Sequence, residues 1–540
     1  MTTSQSGPIS RRMFLRAIGT GAVMASTTSL LTARGAHAQV RPRRFVIRED
    51  RFGRIFPELP PFANASPALE AALRDIGRPG GILDAKDNLA AGPVALIVDP
   101  AMSVNNPNYP TQTAGTTFMG QFMDHDMTFD LTSRLGVPAD PEDSPNSRTP
   151  ALDLDSVYGG GPLADPDLYV RPRGRRFHHH PTKFKIESGG LFEDVPRDRN
   201  GTAIIADPRN DENLIISGLQ VAFLRFHNEA VDLITSHDRH EKPDEVFRRA
   251  RQLTTWHYQW MIVHEFLPLF IGQAMVDDIL RHGRRFYRPR VAQIPVEFQG
   301  AVYRFGHSLV RPSYRANLAG DNGQPFFGMI FDPAGEASSN PVDLRGGARA
   351  PRRFIGWQTF FNFGGIPRPG GQPGTLGEDV RPNKLIDARI STPLFNLPLG
   401  AIASGDLPTS LPQRNLLRHV TWQLPSGQSI AHAMGVPVLS KADLNELSGY
   451  GLGLDESTPL WMYILEEGHV MEGGRHLGPV GGRIVGEVII GLLQLDRDSY
   501  PWAHPRWRPT LPTTSGRVTG DFRMIDFLTL AGVDPTSRGQ

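Results

Sequence analysis

Two consecutive runs of helical periodicity between Asp211 and Phe270 limit the fold more than any other feature of this chain. Leu214, Ile215, Gly218, Leu219, Ala222, Phe223 and Phe226 recur at three- and four-residue spacing, which puts them on one helix face. A second helix is predicted over Pro243 to Phe270, where Val246, Ala250, Leu253, Trp256, Trp260, Ile262 and Phe266 are apolar on more than one face. Such a helix must be covered on several sides. Further helices are predicted near Pro67–Ile76 and over 117–127, 295–310, 459–468 and 482–494, with a few strands around Lys183–Ile186. Gly 56 and Pro 47 make up about a fifth of the 540 residues, so the connections are long and irregular. The expected fold is therefore mainly α: a single large helical domain with long irregular loops and few short strands.

The charges nearly cancel, 57 basic against 56 acidic, which disfavours a general nucleic-acid binder. The absence of cysteine removes disulfides and thiolate metal sites. At the N-terminus, Ser10-Arg11-Arg12-Met13-Phe14-Leu15-Arg16 resembles a twin-arginine export signal. A weakly apolar run from Ala17 to Leu31 and a small-x-small site at Ala36-His37-Ala38 complete the pattern. The expected organisation is a signal over 1–38, an irregular Pro- and Gly-rich arm over 39–110, and one domain over 111–540. A bacterial protein exported already folded, to the periplasm or beyond the cell, is implied. No other stretch reaches about 18 apolar residues, so no membrane span is expected in the mature chain. The basic run Arg171–Arg176 reads by default as a solvated loop.

Five segments carry residue types suited to chemistry. On a helix over 117–126, Gln121 and His125 share a face while Asp124 and Asp126 point to either side of it. A polar helix surface is the bland alternative. Arg209 and Glu212, three apart, can face one site, and an Arg beside a histidine can hold developing negative charge; Asn210, Asp211 and Glu212 also read as a capping cluster. His307 lies between apolar residues in Tyr303-Arg304-Phe305-Gly306-His307-Ser308-Leu309, where Gly306 admits a close approach and Arg304 can meet an anionic group. Alone it could equally be a core histidine. Asn415 and Arg418 precede Leu424-Pro425. In Thr149-Pro150-Ala151-Leu152-Asp153-Leu154-Asp155, alternating residues can converge oxygens, a set that with Asp126 suits Ca²⁺ better than zinc.

Together these segments resemble, in order, those of the animal-type haem peroxidases of the peroxidase–cyclooxygenase superfamily. Gly120-Gln121-Phe122-Met123-Asp124-His125-Asp126 is similar to the distal histidine segment, Arg209 with Glu212 and Leu224-Arg225-Phe226-His227-Asn228 to the distal arginine region, and Arg304-Phe305-Gly306-His307-Ser308-Leu309 to the proximal motif. The Asn415 segment, the Thr149–Gly159 loop and the tail Gly478–Gly486 extend the likeness, although His419-Val420-Thr421-Trp422 departs from the family's pattern. The resemblance implies a haem peroxidase that reduces H₂O₂ through a two-electron-oxidised haem and oxidises a small phenol-like or halide donor. It implies His125 as acid–base, Arg209 as charge support, and Gln121 as the holder of a distal water or halide. His307 would ligate the iron of haem b, backed by Asn415, with Arg304 and Arg418 on the propionates. Asp124 and Glu212 would be the carboxylates available for ester links to haem. Asp126, Thr149, Ala151, Asp153 and Asp155 would hold Ca²⁺. Asn213 follows Glu212 where a methionine makes a sulfonium link in one member, so no such link is expected. A fatty-acid dioxygenase is the rival within the superfamily, disfavoured because Phe354-Ile355-Gly356-Trp357-Gln358 lacks the required tyrosine. A non-catalytic adhesion protein on the same scaffold is the other.

Overall fold

A computed structural model describes residues 50–171, 181–188, 192–321, 323–332, 341–348, 352–363, 380–402 and 405–533. The export signal, residues 39–49 of the arm and residues 172–176 of the basic run lie outside them. Helix α1 covers Pro67–Ile76, as predicted; Ser66 caps it by accepting from Leu69 N at 3.1 Å, and Pro67 opens it where no intrahelical N–H is needed. Helix α2, Gly92–Val98, stands in a stretch expected to be irregular. Helix α3, Gly115–Met127, carries the Gln121/His125 face. Helix α4, Leu214–His237, is capped by Asn213, whose side chain accepts from the N–H groups of Ile215 and Ile216.

The helix expected over 243–270 is three pieces: α5 over Pro243–Met261, a π turn over Ile262–Phe266, and α6 over Leu267–Ile271. Pro268 supplies the reason. It has no N–H for the His264 carbonyl, and its ring would strike that carbonyl in a regular helix, which the wider turn avoids. The helix expected over 295–310 is also divided, into Val296–Gly300, a 3₁₀ turn over Val302–Phe305 and a turn over Gly306–Leu309. The break falls at Ala301, beside Gly300, whose backbone is pressed so close to Trp422 that a Cβ there would stand 2.9 Å from the indole. Helices α7, Leu411–Thr421, α8, Leu460–Glu472, and α9, Pro479–Leu495, follow.

The strands are short, as expected. β1, Asn108–Thr113, pairs antiparallel with β6, Pro382–Lys384; β2, Glu187–Ser188, pairs with β3, Glu193–Asp194; β4, Ser313–Asp321, and β5, Gln324–Met329, form a hairpin. The β2 strand begins just past the predicted 183–186 segment, where Phe184 makes an isolated bridge to Tyr169. One large core joins these elements. It includes Phe52, Phe56, Phe62 and Leu73 from residues 50–110 together with Phe122, Phe223, Phe266, Trp422 and Trp461. Residues 50–110 are thus packed into the same body as the helices after them. Phe122 of α3 stacks on Phe223 of α4 with centroids 4.7 Å apart, which fixes the rotation of α3 about its axis. Among the described residues no helix is long and apolar enough to cross a membrane.

Candidate active site

A cavity of about 1510 Å³, its open mouth included, separates α3 from the Gly306–Leu309 turn, with His125 on one wall and His307 on the other. Gln121, Asp124, Arg209, Glu212, Arg304 and Arg418 also line it. The fold therefore brings together the residues that the sequence separated by almost three hundred positions.

His125 is 4% exposed. Its Nδ1 lies 2.9 Å from Asn210 Oδ1, and Asn210 Nδ2 donates to Gln220 Oε1 at 2.8 Å. The second bond orients the amide so that its oxygen meets the ring, which places the imidazole proton on Nδ1 and leaves Nε2 an acceptor. Burial, then the nearby Arg209 charge, lower His125 to about 4, so the ring is neutral at ordinary pH. Arg209 is itself held firmly. Its Nη2 donates to Asp207 Oδ2 at 2.7 Å and to the His125 carbonyl at 3.0 Å, and its guanidinium lies 4.0 Å from the Phe129 ring centroid. Asp207 is fully buried and also accepts from Arg148 at 2.8 Å. Burial acts to raise its carboxyl, but the Arg209 and Arg148 charges outweigh that and hold it well below the usual range. Gln121 donates to Glu212 Oε1, and that oxygen lies 3.9 Å from His125 Nε2. Burial pushes Glu212 up to about 8 against the pull of Arg209, so it is protonated at neutral pH. Asp124 accepts from Thr128 Oγ1 at 3.2 Å.

Across the cavity, His307 Nδ1 meets the Asn415 amide at 2.8 Å, and Arg304 Nη1 donates to Asn415 Oδ1 at 3.1 Å. Arg304 can only donate, so the amide nitrogen faces the ring. The connections continue behind: His419 Nδ1 bonds the Asn415 carbonyl at 2.9 Å, Trp461 N donates to His419 Nε2 at 2.9 Å, and Trp461 Nε1 donates to the Arg304 carbonyl at 3.1 Å. This closed ring of bonds ties α7, α8 and the 302–309 turns to the His307 ring. Burial, then Arg304, lower His307 to about 3. Arg418, expected on a propionate, donates to Asp130 Oδ2 at 2.5 Å and to Ser133. Arg304, Arg414 and Arg418 line one end of the cavity.

The lining suits a haem. Two neutral imidazoles share the lining with Arg304, Arg414 and Arg418, cations able to meet anionic propionates, and the buried Gln299 Oε1 has no hydrogen-bond partner. A Cβ built on Gly306 would stand in open space with nothing within 4 Å, so the backbone beside His307 is open to a flat group. With the Asn415 amide nitrogen on Nδ1 the ring proton of His307 sits on Nε2; ligation of a metal by a neutral ring through Nε2 would need that proton on Nδ1 and the Asn415 amide turned so that its oxygen accepts it.

The cation candidates also converge. Carboxylate oxygens of Asp126, Asp153 and Asp155 lie within 4.8 Å of one another. Asp155 Oδ1 is buried without a hydrogen-bond partner, and Arg148 Nη1 is 3.8 Å away. Asp126 accepts from Leu154 N and Ser156 Oγ, each at 3.1 Å, which ties the loop directly to α3. Leu154 adopts φ 61°, a left-handed turn rare for leucine, which bends the loop around the three carboxylates. Burial and mutual repulsion raise Asp126, and raise Asp155 to about 7. Thr149 Oγ1 donates to Asp153 at 2.9 Å, Thr149 N to Asp155 at 3.0 Å, and Ala151 N to the Thr149 carbonyl at 2.7 Å.

Sequence reasoning missed Asp207, Phe129, Arg414, Tyr303, His419 and Trp461, and took Asn210 only as a cap. An Asp before Pro208 is a readable cap signal, and Asp207 does accept from Arg209 N at 2.9 Å. The others meet the site only through long-range packing. Tyr303 brings a tyrosine into the cavity wall, with its hydroxyl donating to the Gly120 carbonyl at 3.1 Å. Trp357, the centre of the segment weighed for a dioxygenase, is 1% exposed and packs against Gly218 away from the lining.

The class indicated by this geometry agrees with comparison to known proteins. The profile of the animal haem peroxidase family matches residues 132–326, which include Arg209, Glu212 and His307 but neither His125 nor Asn415. Among curated proteins, the chain is 29% identical over 109 residues to a dual oxidase of Drosophila melanogaster, covering 20% of this chain and 7% of that one. It is 26% identical over 197 residues to peroxidase mlt-7 of Caenorhabditis elegans, covering 35% and 27%. The matched segments are thus a minor part of these relatives' lengths. Among solved structures, Peroxidase A from Dictyostelium discoideum superposes with TM-score 0.58 at 16% identity, covering 88% of this chain and 95% of that one. A fatty acid alpha-dioxygenase of Oryza sativa with palmitic acid gives 0.50 at 15%, covering 73% and 70%. These likenesses establish the fold, a mainly helical peroxidase-type domain.

Proposed function

We propose that this chain is a haem peroxidase that reduces H₂O₂ and oxidises a small phenol-like or halide donor. The observation that carries it is the bare, neutral Nε2 of His125 aimed into a cavity whose opposite wall is His307 backed by Asn415. His307 would hold haem b, Arg304, Arg414 and Arg418 would meet its propionates, and the bound haem would supply the two-electron redox chemistry. The chain's own residues manage protons and charge. His125 Nε2 takes the proton from the inner oxygen of peroxide and returns it to the departing outer oxygen, while Asn210 keeps the ring in the required tautomer. Arg209, fixed by Asp207 and Phe129, stabilises the charge on the departing oxygen. Gln121 holds Glu212, and places an amide beside the site where water or a halide would sit. Asp124 and Glu212 line the cavity and are the carboxylates available for ester links to the haem edge.

In the same proposal Asp126, Asp153 and Asp155, with Thr149 and the Ala151 carbonyl, hold Ca²⁺ and brace α3. The 1–38 segment directs twin-arginine export. The test is an optical spectrum of the purified haem-loaded protein before and after one equivalent of H₂O₂. A Soret band that shifts and recovers with a phenolic donor is the expected outcome. A band unmoved by peroxide, with oxygen uptake on linoleate, would replace the peroxidase with the dioxygenase; Tyr303 in the wall is the feature that favours that second reading.

A further inference from the structure

On the face of α5 turned toward residues 500–522, the side chains form a continuous aromatic cluster outside the cavity lining. Trp260 stacks on His264 with centroids 3.7 Å apart, and lies 5.8 Å from Tyr500 and 6.1 Å from Trp507. Trp507 is 5.4 Å from both Trp256 and Tyr500. Packing accounts for rings in contact. The polar hydrogens of three of these rings also meet acceptors. Tyr500 Oη meets His264 Nε2 at 3.2 Å, Trp260 Nε1 points at Asp521 Oδ1 at 3.5 Å, and Trp256 Nε1 donates to the Asp498 carbonyl at 2.9 Å. Tyr500 and Trp260 therefore each have a basic group at the proton they would shed on losing an electron.

The cluster has an inner and an outer end. Six residues beyond Trp260, across the π turn of the same helical run, Phe266 lines the cavity. At the outer end Trp507 is half-buried among exposed His504, Arg506 and Arg508. The Arg508 guanidinium lies 5.0 Å from the Trp260 ring centroid, which disfavours a positive charge on that indole and makes its oxidised form the stronger oxidant.

We propose that Trp256, Trp260, Tyr500 and Trp507 form a second oxidation site, at which anionic aromatic donors too large for the cavity give up electrons to Trp507. This rests on the peroxidase function above, since peroxide is its oxidant. Peroxide is reduced to water in the cavity and leaves two oxidising equivalents there. The Trp260 indole gives one electron inward and its N–H proton to Asp521. Trp507 then supplies an electron to Trp260, which recovers its proton, and a donor at the surface supplies an electron to Trp507. Two such passages consume two donor electrons and two protons per peroxide and restore every residue. The Arg506 and Arg508 charges at the rim select anionic donors.

The haem-loaded protein and its Trp507→Phe and Trp260→Phe variants test this, with a polysulfonated azo dye as the large donor and iodide as the small one. The expected result is a tryptophanyl radical in the electron paramagnetic resonance spectrum of wild type frozen after peroxide. Both variants should lose that signal and about tenfold or more of dye oxidation, equivalent to about 1.4 kcal/mol of activation. They should keep iodide oxidation and the peroxide-induced Soret shift, which also report intact folding. Dye oxidation unchanged in both variants, or a radical signal that survives both, overturns the proposal. A wild-type Soret band that ignores peroxide overturns the peroxidase function itself, and the relay with it.

Discussion

Removing the cation from the Asp126–Asp153–Asp155 cluster should make the protein's stability depend on pH in a direction opposite to ordinary acid denaturation. Burial and the Asp153 charge carry the Asp155 carboxyl from 3.8 to about 7, and Asp126 moves the same way. A group that binds its proton more tightly folded than unfolded stabilises the fold at pH below its unfolded value, and that stabilisation is lost as pH rises through the folded value. For Asp155 alone the span from 3.8 to about 7 corresponds to about 4 kcal/mol, lost between about pH 4 and pH 7. Bound Ca²⁺ requires the carboxylates ionised and abolishes that slope. Thermal or urea midpoints should therefore be measured from pH 5 to 8, in saturating Ca²⁺ and in a chelator. The two curves should separate progressively above pH 5 and differ most at pH 8. An Asp155→Asn variant should lose most of the Ca²⁺ response, which narrows the gap between the two curves. Equal midpoints with and without Ca²⁺ at pH 8 would refute the cation assignment, because a cation bound by the folded protein must raise its stability.

Three other perturbations probe the two walls of the cavity. With burial and Arg209 holding His125 near 4, the rate of reaction with peroxide should stay constant from neutral pH downward and fall only as pH drops through about 4; stopped-flow rates that fall near 6.5 would show an exposed, unperturbed imidazole. His125→Ala should slow that step by about 10² to 10⁴ while the Soret band of the resting protein persists, and full turnover without His125 would remove it as the base. Asp207→Asn leaves the Arg148 and Arg209 charges without their shared buried partner, and should destabilise by about 3–5 kcal/mol in a denaturation experiment as well as slowing the peroxide step. His419→Ala breaks the bonds that anchor Asn415 to Trp461; a shifted reduction potential and weaker haem retention are expected at unchanged peroxide pH dependence, whereas an unaltered potential would make His419 a packing residue only.

The sequence by itself determined the helical class and helix α1, because these signals are local, while the residues of both cavity walls were singled out by the resemblance of their segments to those of a known family. Periodicity, a Ser before a Pro, and a histidine between a glycine and apolar neighbours can all be read within a dozen residues. Motif order across the chain then told which histidines belong to one site. Tertiary structure decided what those residues are attached to. Pro268 was visible in the sequence, but that the helix would widen around it, rather than end there, depended on the core closing over Met261, Ile262, Val263, Phe266 and Leu267. Arg418 was readable as a cation near the haem edge, whereas its pairing with Asp130, almost three hundred positions earlier, was not. The tautomer of His125 depends on Asn210, whose own orientation is set by Gln220, and the His307 ring is braced through His419 and Trp461. Such bonds join groups that are distant in the chain, and each exists only because burial leaves a polar atom no water to turn to. Local pattern therefore specifies which side chains a segment offers, and the closed core specifies which of their hydrogen bonds must be made.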